Sequence, residues 1–343
     1  MRNGIHCAGN FLIDHIKIID RYPAQGMLAN IQDECIGTGG GPYNALIDLA
    51  KFKVDLPLFA TGIVGDDADG AFILKDLQQH HIDTTSMHTT SARPTSYTLV
   101  MTEKDTGYRT FFHNRGANAL LDYQHFVDIR SDAKIFYLAY LLLLDRLDSK
   151  DDEYGVVAAR VLDMLQQKGY KTAVDLISED SERYQKIVTS CLKYINYLIL
   201  NEIEAGKTAG IDIRDRDGKI VFANLTKASQ ILFALGVNDL VVIHFPEGGF
   251  AANSQGDSVF VPSYFIDESE IRGTAGAGDA FCAGMLYGIH QGFALEHSLK
   301  IANASARFNL TSPTCTGGAV PLKTLSEFIK HTPPTKKSEA IID

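Results

Sequence analysis

The strongest constraint on this chain is the alternation of short, uniformly apolar runs with longer amphipathic stretches. Ile135–Leu138, Thr172–Leu176, Tyr197–Leu200 and Leu240–Phe245 are apolar and bounded by polar or turn residues. Helical stretches lie beside them at Tyr154–Lys168, Glu182–Lys193 and Thr226–Leu235. A strand apolar on both sides must be covered on both faces, and alternating helices supply that cover. The expected fold class is α/β, a doubly wound and mostly parallel sheet.

Four other segments alternate apolar with polar residues: Phe11–Ile19, Ile31–Ile36, Ser96–Met101 and Tyr108–His113. The last two are joined by EKDTG, a hairpin turn in which Gly107 tolerates positive φ. Half-exposed strands of this kind predict a small antiparallel sheet beside the main body, placed as a lid over a cleft. The expected layout is one α/β domain over 1–333, with the lid from about 12–38 and 93–115 and a loose tail over 334–343.

Composition narrows the function. The 343 residues allow about two domains, or one large domain with an insertion. With 45% hydrophobic and 22% charged residues, a disordered chain is excluded. A net charge of -10 repels phosphate backbones, so no nucleic-acid partner is expected. The longest apolar run, Ile135–Leu144, is far short of the ~20 residues of a membrane span. MRNGIHCAGN has no apolar signal-peptide core. Cys7, Cys35, Cys191, Cys282 and Cys315 are odd in number and scattered, which predicts free thiols in a reducing cytoplasm.

Three glycine clusters remain: Gly37–Phe52, Thr61–Gly70 and Ile271–Gly288. A dinucleotide fingerprint fails in the first, which has Pro42 at its last position, and in the third, which has Phe281 there. Gly206-Lys207-Thr208 imitates the end of a Walker loop, but Asn201 stands where the first glycine belongs, and Glu202 and Glu204 repel phosphate. In the third cluster, Gly276-Ala277-Gly278 lets backbone N–H groups approach an anion, and the apolar spacing that follows predicts a helix whose dipole assists. Asp279 in the first turn is either an N-cap or a general base beside a moving phosphoryl group.

Gly276-Ala277-Gly278-Asp279, followed by Ala280-Phe281 and by Ala283-Gly284, resembles the C-terminal signature of the ribokinase-like (PfkB) carbohydrate kinases. Four further segments resemble that family's motifs in the same order. They are Gly9–Asp14, Gly39-Gly40-Gly41-Pro42-Tyr43-Asn44, Gly62–Gly70 and Asn201-Glu202-Ile203-Glu204. The resemblance covers about residues 5–330 and implies an ATP- and Mg²⁺-dependent kinase of a sugar or small polyol. By resemblance, Asp279 is the base, and the amides of Ala277, Gly278 and Asp279, with Gly276 opening the loop, form the anion hole. Asp14, Gly40, Gly41, Asn44 and Asn118 are expected at the sugar. Asn201, Thr274, Gly276, Gly278 and Asn303 are expected at the nucleotide, and Glu202 and Glu204 at Mg²⁺, through water. The alternative for Glu202 is an acid complementing a helix dipole, and for Asn44 a helix start. Asp67 is expected to brace its turn.

Three departures stand out. The triplet before Gly276 reads Gly273-Thr274-Ala275, lacking two side chains that ligate K⁺ in cation-activated members, which counts against K⁺ activation. His244-Phe245-Pro246 replaces the usual Thr-x-Gly beside the nucleotide. Asp175 occurs where a D-x-N segment is common, without the Asn. Two alternatives stay open: a nucleoside kinase of the same fold, and a non-catalytic sugar- or nucleotide-sensing protein. A homodimer through the lid strands is expected.

Overall fold

All four apolar runs form neighbouring strands. A computed structural model of the chain describes residues 2–335. The first half contains β1 (Ile5–Gly9), β2 (Leu12–Ile19), β3 (Ile31–Gly39), α1 (Gly41–Lys51), β4 (Leu58–Gly65), α2 (Ala68–Gln79), β5 (Asp83–Thr90), β6 (Ser96–Glu103), β7 (Arg109–Asn114), α3 (Gln124–Val127), β8 (Ile135–Leu141), a ribbon of β9 (Lys150–Asp151) with β10 (Gly155–Val156), and α4 (Val157–Gln167). The second half contains β11 (Lys171–Leu176), α5 (Tyr184–Cys191), β12 (Tyr197–Asn201), α6 (Glu202–Ala209), α7 (Phe222–Ala234), β13 (Leu240–Phe245), β14 (Gly248–Asn253), β15 (Ser258–Pro262), α8 (Ala277–Gln291), α9 (Leu295–Asn309) and α10 (Leu322–His331).

The large sheet has nine strands in the order β15-β14-β13-β12-β11-β8-β1-β4-β5. From β13 through β5 every pairing is parallel, and β14 and β15 turn back antiparallel at one edge. Strand β8 shows why its sequence is continuously apolar. Ile135, Tyr137 and Ala139 enter the core shared with α1, α8 and α9, while Phe136 and Leu138 enter the opposite core with α4, α5 and α7. Both sides of the strand are fully buried.

The half-exposed segments pair as a second sheet, β3-β2-β6-β7. Its two outer pairs are antiparallel and its central β2–β6 pair is parallel. The turn before β7 has Gly107 at φ 70, as the EKDTG reading requires. Asp67 caps α2 by accepting from Gly70 N and also accepts from the Thr95 N–H at 2.7 Å, so it braces its turn. Of the expected tail, Thr335 donates its N–H and its hydroxyl to the Ser263 carbonyl, and residues 336–343 lie outside the described residues. Among the described residues no helix is long and apolar enough to cross a membrane.

One core residue sets a testable cost. Asp48 on α1 is buried, and neither of its carboxylate oxygens has a hydrogen-bond partner. Burial, then the charge of Asp279, push its carboxyl well above the usual range. A carboxyl raised in the folded state contributes stability below its unfolded pKa and loses it as pH rises toward the folded one, by about 1.4 kcal/mol per unit. Asp48→Asn should therefore raise the unfolding temperature more at pH 8 than at pH 6. Equal shifts at the two pH values in thermal unfolding would refute this account.

Candidate active site

The polar residues that the sequence scattered over the chain converge at the carboxyl ends of the parallel strands, where open α/β sheets place their ligands. Tyr140 lies near the end of β8, Asp175 near the end of β11, Asn201 ends β12 and His244 lies near the end of β13. Facing them is the first turn of α8. Gly276 caps this helix at φ 79, and a Cβ there would come 2.3 Å from the Cys315 carbonyl oxygen, so only glycine fits. First-turn amides have no carbonyl within the helix to bond. Those of Gly278 and Asp279 are therefore free for an anion, whereas Ala277 N–H makes a long 3.4 Å contact to Thr274 O.

A cavity of about 280 Å³ opens there, lined by Tyr140, Asp175, Asn201, Glu204, His244, Gly276, Gly278 and Asp279. It adjoins a larger cavity of about 680 Å³, to which Phe245, Tyr264, Ile271, Thr274, Phe281 and Asn303 contribute. Asn201, His244 and Gly278 line both. The site is thus one cleft with an acidic end and an apolar end, and the glycine turn lies between them.

Asp279 is 5% exposed and does not act as an N-cap side chain. Its Oδ2 accepts from Asn44 Nδ2 at 2.7 Å, and its Oδ1 accepts the Tyr140 hydroxyl. Burial raises its carboxyl to about 6 against the opposing pull of these two hydrogen bonds. Asp14 on β2 is likewise raised to about 6 by burial, and its charge acts on Asp279. Burial and the Glu204 and Asp279 charges hold Asp175 well above the carboxylate range. Glu204 is raised chiefly by burial. It also completes a capping box with Asn201, accepts from Ser178 Oγ at 2.8 Å, and still lines the acidic end. Burial lowers His244 to about 4, so its imidazole is neutral.

Two of the expected site residues have protein partners. Glu202 lines the larger cavity and not the one that holds Asp279. Arg214 donates to it at 2.7 and 2.9 Å and also pairs with Glu247, so the Glu202 carboxylate is engaged in an ion pair. Asn118 is completely buried, and its amide bonds both the N–H and the C=O of Phe11. It fixes the turn between β1 and β2 instead of touching a ligand. Asn303 lines the apolar cavity, but its Nδ2 is bound to the Val261 and Pro262 carbonyls. At Gly40 (φ 97) a Cβ would meet the Asn10 carbonyl, and at Gly41 it would come 2.8 Å from the Tyr140 ring. A Cβ at Gly273 would come 3.0 Å from Arg109 Nη2 and 3.0 Å from Ser312 O, so that position is crowded.

Tyr140 and Asp175 escaped the sequence reading. Tyr140 sits inside the run IFYLAYLLLL, where alternation marks a strand but not the hydroxyl that leaves it. Asp175 was noted only for the missing Asn.

The whole assembly is that of a phosphoryl-transfer enzyme of the α/β class. The profile of the pfkB family carbohydrate kinases matches residues 3–322. The chain belongs to this family. It is 25% identical over 337 residues to the bifunctional protein HldE of Wolinella succinogenes, covering 93% of this chain. It spans 64% of the length of that relative. Among solved structures, it is similar to Arabidopsis thaliana ribokinase complexed with ribose and ATP. There the TM-score is 0.77 at 20% identity, over 96% of this chain and 99% of that one. A putative ribokinase II from E. coli, in complex with ATP and Mg²⁺, superposes with a TM-score of 0.74 at 17% identity, over 96% and 99% of the two chains.

Proposed function

We propose that this chain transfers the γ-phosphoryl group of Mg²⁺-bound ATP to a hydroxymethyl group of a monosaccharide or similar small polyol. The observation that carries this reading is Asp279 itself. It is a buried carboxylate lining the acidic end of the cleft, in the same first turn as the free helix amides and hydrogen-bonded by Asn44 and Tyr140. The substrate oxygen attacks the γ-phosphorus in line, the bond to the β-phosphate oxygen breaks, and ADP leaves. The hydroxyl proton passes to Asp279, and the Gly278 and Asp279 amides receive the charge on the moving group. The apolar cavity takes the adenine, with Thr274 and Asn303 in its wall.

The donor set suits Mg²⁺. Among the described residues no three His, Cys, Asp or Glu side chains cluster to hold a metal alone. Mg²⁺ keeps water and phosphate oxygens in its shell and needs few protein ligands. Glu204 and Asn201 would hold it, and bound Mg²⁺ supplies charge neutralisation on the β- and γ-phosphates. Asp14, Gly40, Gly41 and Asn44 form the sugar end, under the β2–β6 sheet acting as a lid that excludes water. The protein works in the cytoplasm, in keeping with its five free cysteines.

ADP release from Mg-ATP across pentoses, hexoses, sugar acids, sugar phosphates and nucleosides tests the reading. Sugar-dependent release supports it. Release with nucleosides alone reassigns the substrate, and ATP binding without any release points to a sensor.

The small sheet also supports a homodimer. Ile31 and Ile36 on edge strand β3, and Phe111 and Phe112 on edge strand β7, are 48–63% exposed. Open edges with apolar side chains pair readily with a second copy. Light scattering at micromolar concentration should give twice the 37.6 kDa chain mass, and Ile36→Lys should shift the population toward monomer. A wild type that is monomeric under these conditions removes the dimer.

A further inference from the structure

Asp279 has an unusual electrostatic setting. The charged groups facing it are Asp14 from β2, Asp48 from α1 and Asp175 from β11, with Glu204 from α6 lining the same cavity. All four are acids. The other titratable neighbours are Tyr137 and Tyr140 from β8, Cys282 from α8 itself, Cys315 from the loop after α9, and His244 from β13. Burial raises these phenols and thiols and lowers the histidine, so all are neutral at pH 7. Two cations act on the neighbours, Arg109 on Asp14 and Cys315 and Lys51 on Asp48, but neither is among the groups that shift Asp279. Burial among acids favours the protonated carboxyl, a form that cannot take a proton from substrate.

Two neutral donors work in the other direction. Asn44 Nδ2 donates to Oδ2, and the Tyr140 hydroxyl donates to Oδ1. Hydrogen bonds to the charged form favour it. Each carboxylate oxygen keeps a second lone pair for an incoming hydroxyl. The phenol is well anchored. The Tyr140 N–H donates to Asn10 Oδ1 at 2.9 Å, and its ring lies where a Cβ on Gly41 would stand, 2.8 Å from Cε1 and Cζ. Gly41 therefore leaves room for the ring that reaches the base.

We propose that Tyr140 is a positioning residue, whose hydroxyl, together with the Asn44 amide, keeps Asp279 ionised and aimed among its acidic neighbours. This rests on Asp279 being the base, but its primary test needs no substrate. The carboxyl carbon of Asp279 is followed by ¹³C NMR in protein labelled at aspartate, its signal assigned by its loss in Asp279→Asn. Its titration midpoint in the free wild type is expected near 6. Tyr140→Phe removes one oxygen, and the midpoint should rise by about one unit. Gly41→Ala, which pushes on the ring, should shift it the same way and add no further shift in the Tyr140→Phe background.

In kinetics with the sugar that gives fastest ADP release, the acid limb of kcat/KM should move up by the same amount. The Tyr140→Phe variant then loses about fivefold at pH 6, approaches a tenfold loss below pH 5, and loses little at pH 9. ATP ionisation is common to both enzymes and cancels. An unmoved midpoint, or a loss equal at all pH values, overturns the proposal. If Asp279→Asn stays active, the base assignment fails instead, whatever the titration shows.

Discussion

Exchanging Asp279 for Asn is expected to lower kcat by roughly 10³-fold while leaving the fold intact. The amide has the shape of the carboxyl but cannot accept the substrate proton. Some rate over water should survive, because the Gly278 and Asp279 backbone amides are untouched. Stability should hold, because the exchange removes a charge from a buried setting already occupied by Asp14, Asp48 and Asp175. The carboxyl of Asp279, raised to about 6, contributes stability below its unfolded pKa and has lost it by pH 8. At pH 8 the variant should thus unfold at or above the wild-type temperature. ADP release and thermal unfolding at that pH check both parts, and activity within tenfold of wild type would remove Asp279 from the chemistry.

Glu204→Gln should have the second largest effect, a loss of about 100-fold or more in Mg²⁺-dependent turnover. Glu204 has two roles, and this substitution separates them. As a cap, its carboxylate accepts from Asn201 N at 3.0 Å and from Ser178 Oγ, and the glutamine carbonyl can accept from either. As an acid facing Asp175, it carries charge that burial opposes. Because burial raises its carboxyl, the wild type loses stability as pH climbs toward the folded pKa, and glutamine escapes that loss. The variant should be at least as stable as wild type at pH 8, yet nearly inactive, with ATP titrations losing their dependence on added Mg²⁺. A variant that unfolds early would show that the cap dominates. One that keeps its turnover would take Glu204 out of metal binding.

The sequence was informative where a local pattern has one physical cause. Four apolar runs implied strands buried on both faces, and β8, β11, β12 and β13 are adjacent in the sheet. Glycines before an apolar helix implied an anion site, and Gly276 does adopt positive φ at the start of α8. Non-local causes leave no such pattern. Glu202 carries the expected charge at the expected place, and its ion pair with Arg214, twelve positions on, has no local signal. Asn118 is polar and close to the cleft in sequence order, yet Phe11, 107 positions away, absorbs its amide. Tyr140 looks like core filling until Asp279 is placed opposite it. The β14–β15 hairpin was missed because GGFAAN is poor in β-branched residues, and the extended edge comes from pairing on β13.

The order in which the cleft's parts occur along the chain has a consequence for synthesis. Asp14, Asn44, Tyr140, Asp175 and Asn201 all precede the anion turn, and the base follows it at 279. β14 and β15 must also be made before α8 can dock across β1 and β8. A ribosome-bound chain therefore completes the strands of the sheet, at Pro262, before it holds the carboxylate proposed as the base, and the nascent cleft has its floor but not its base.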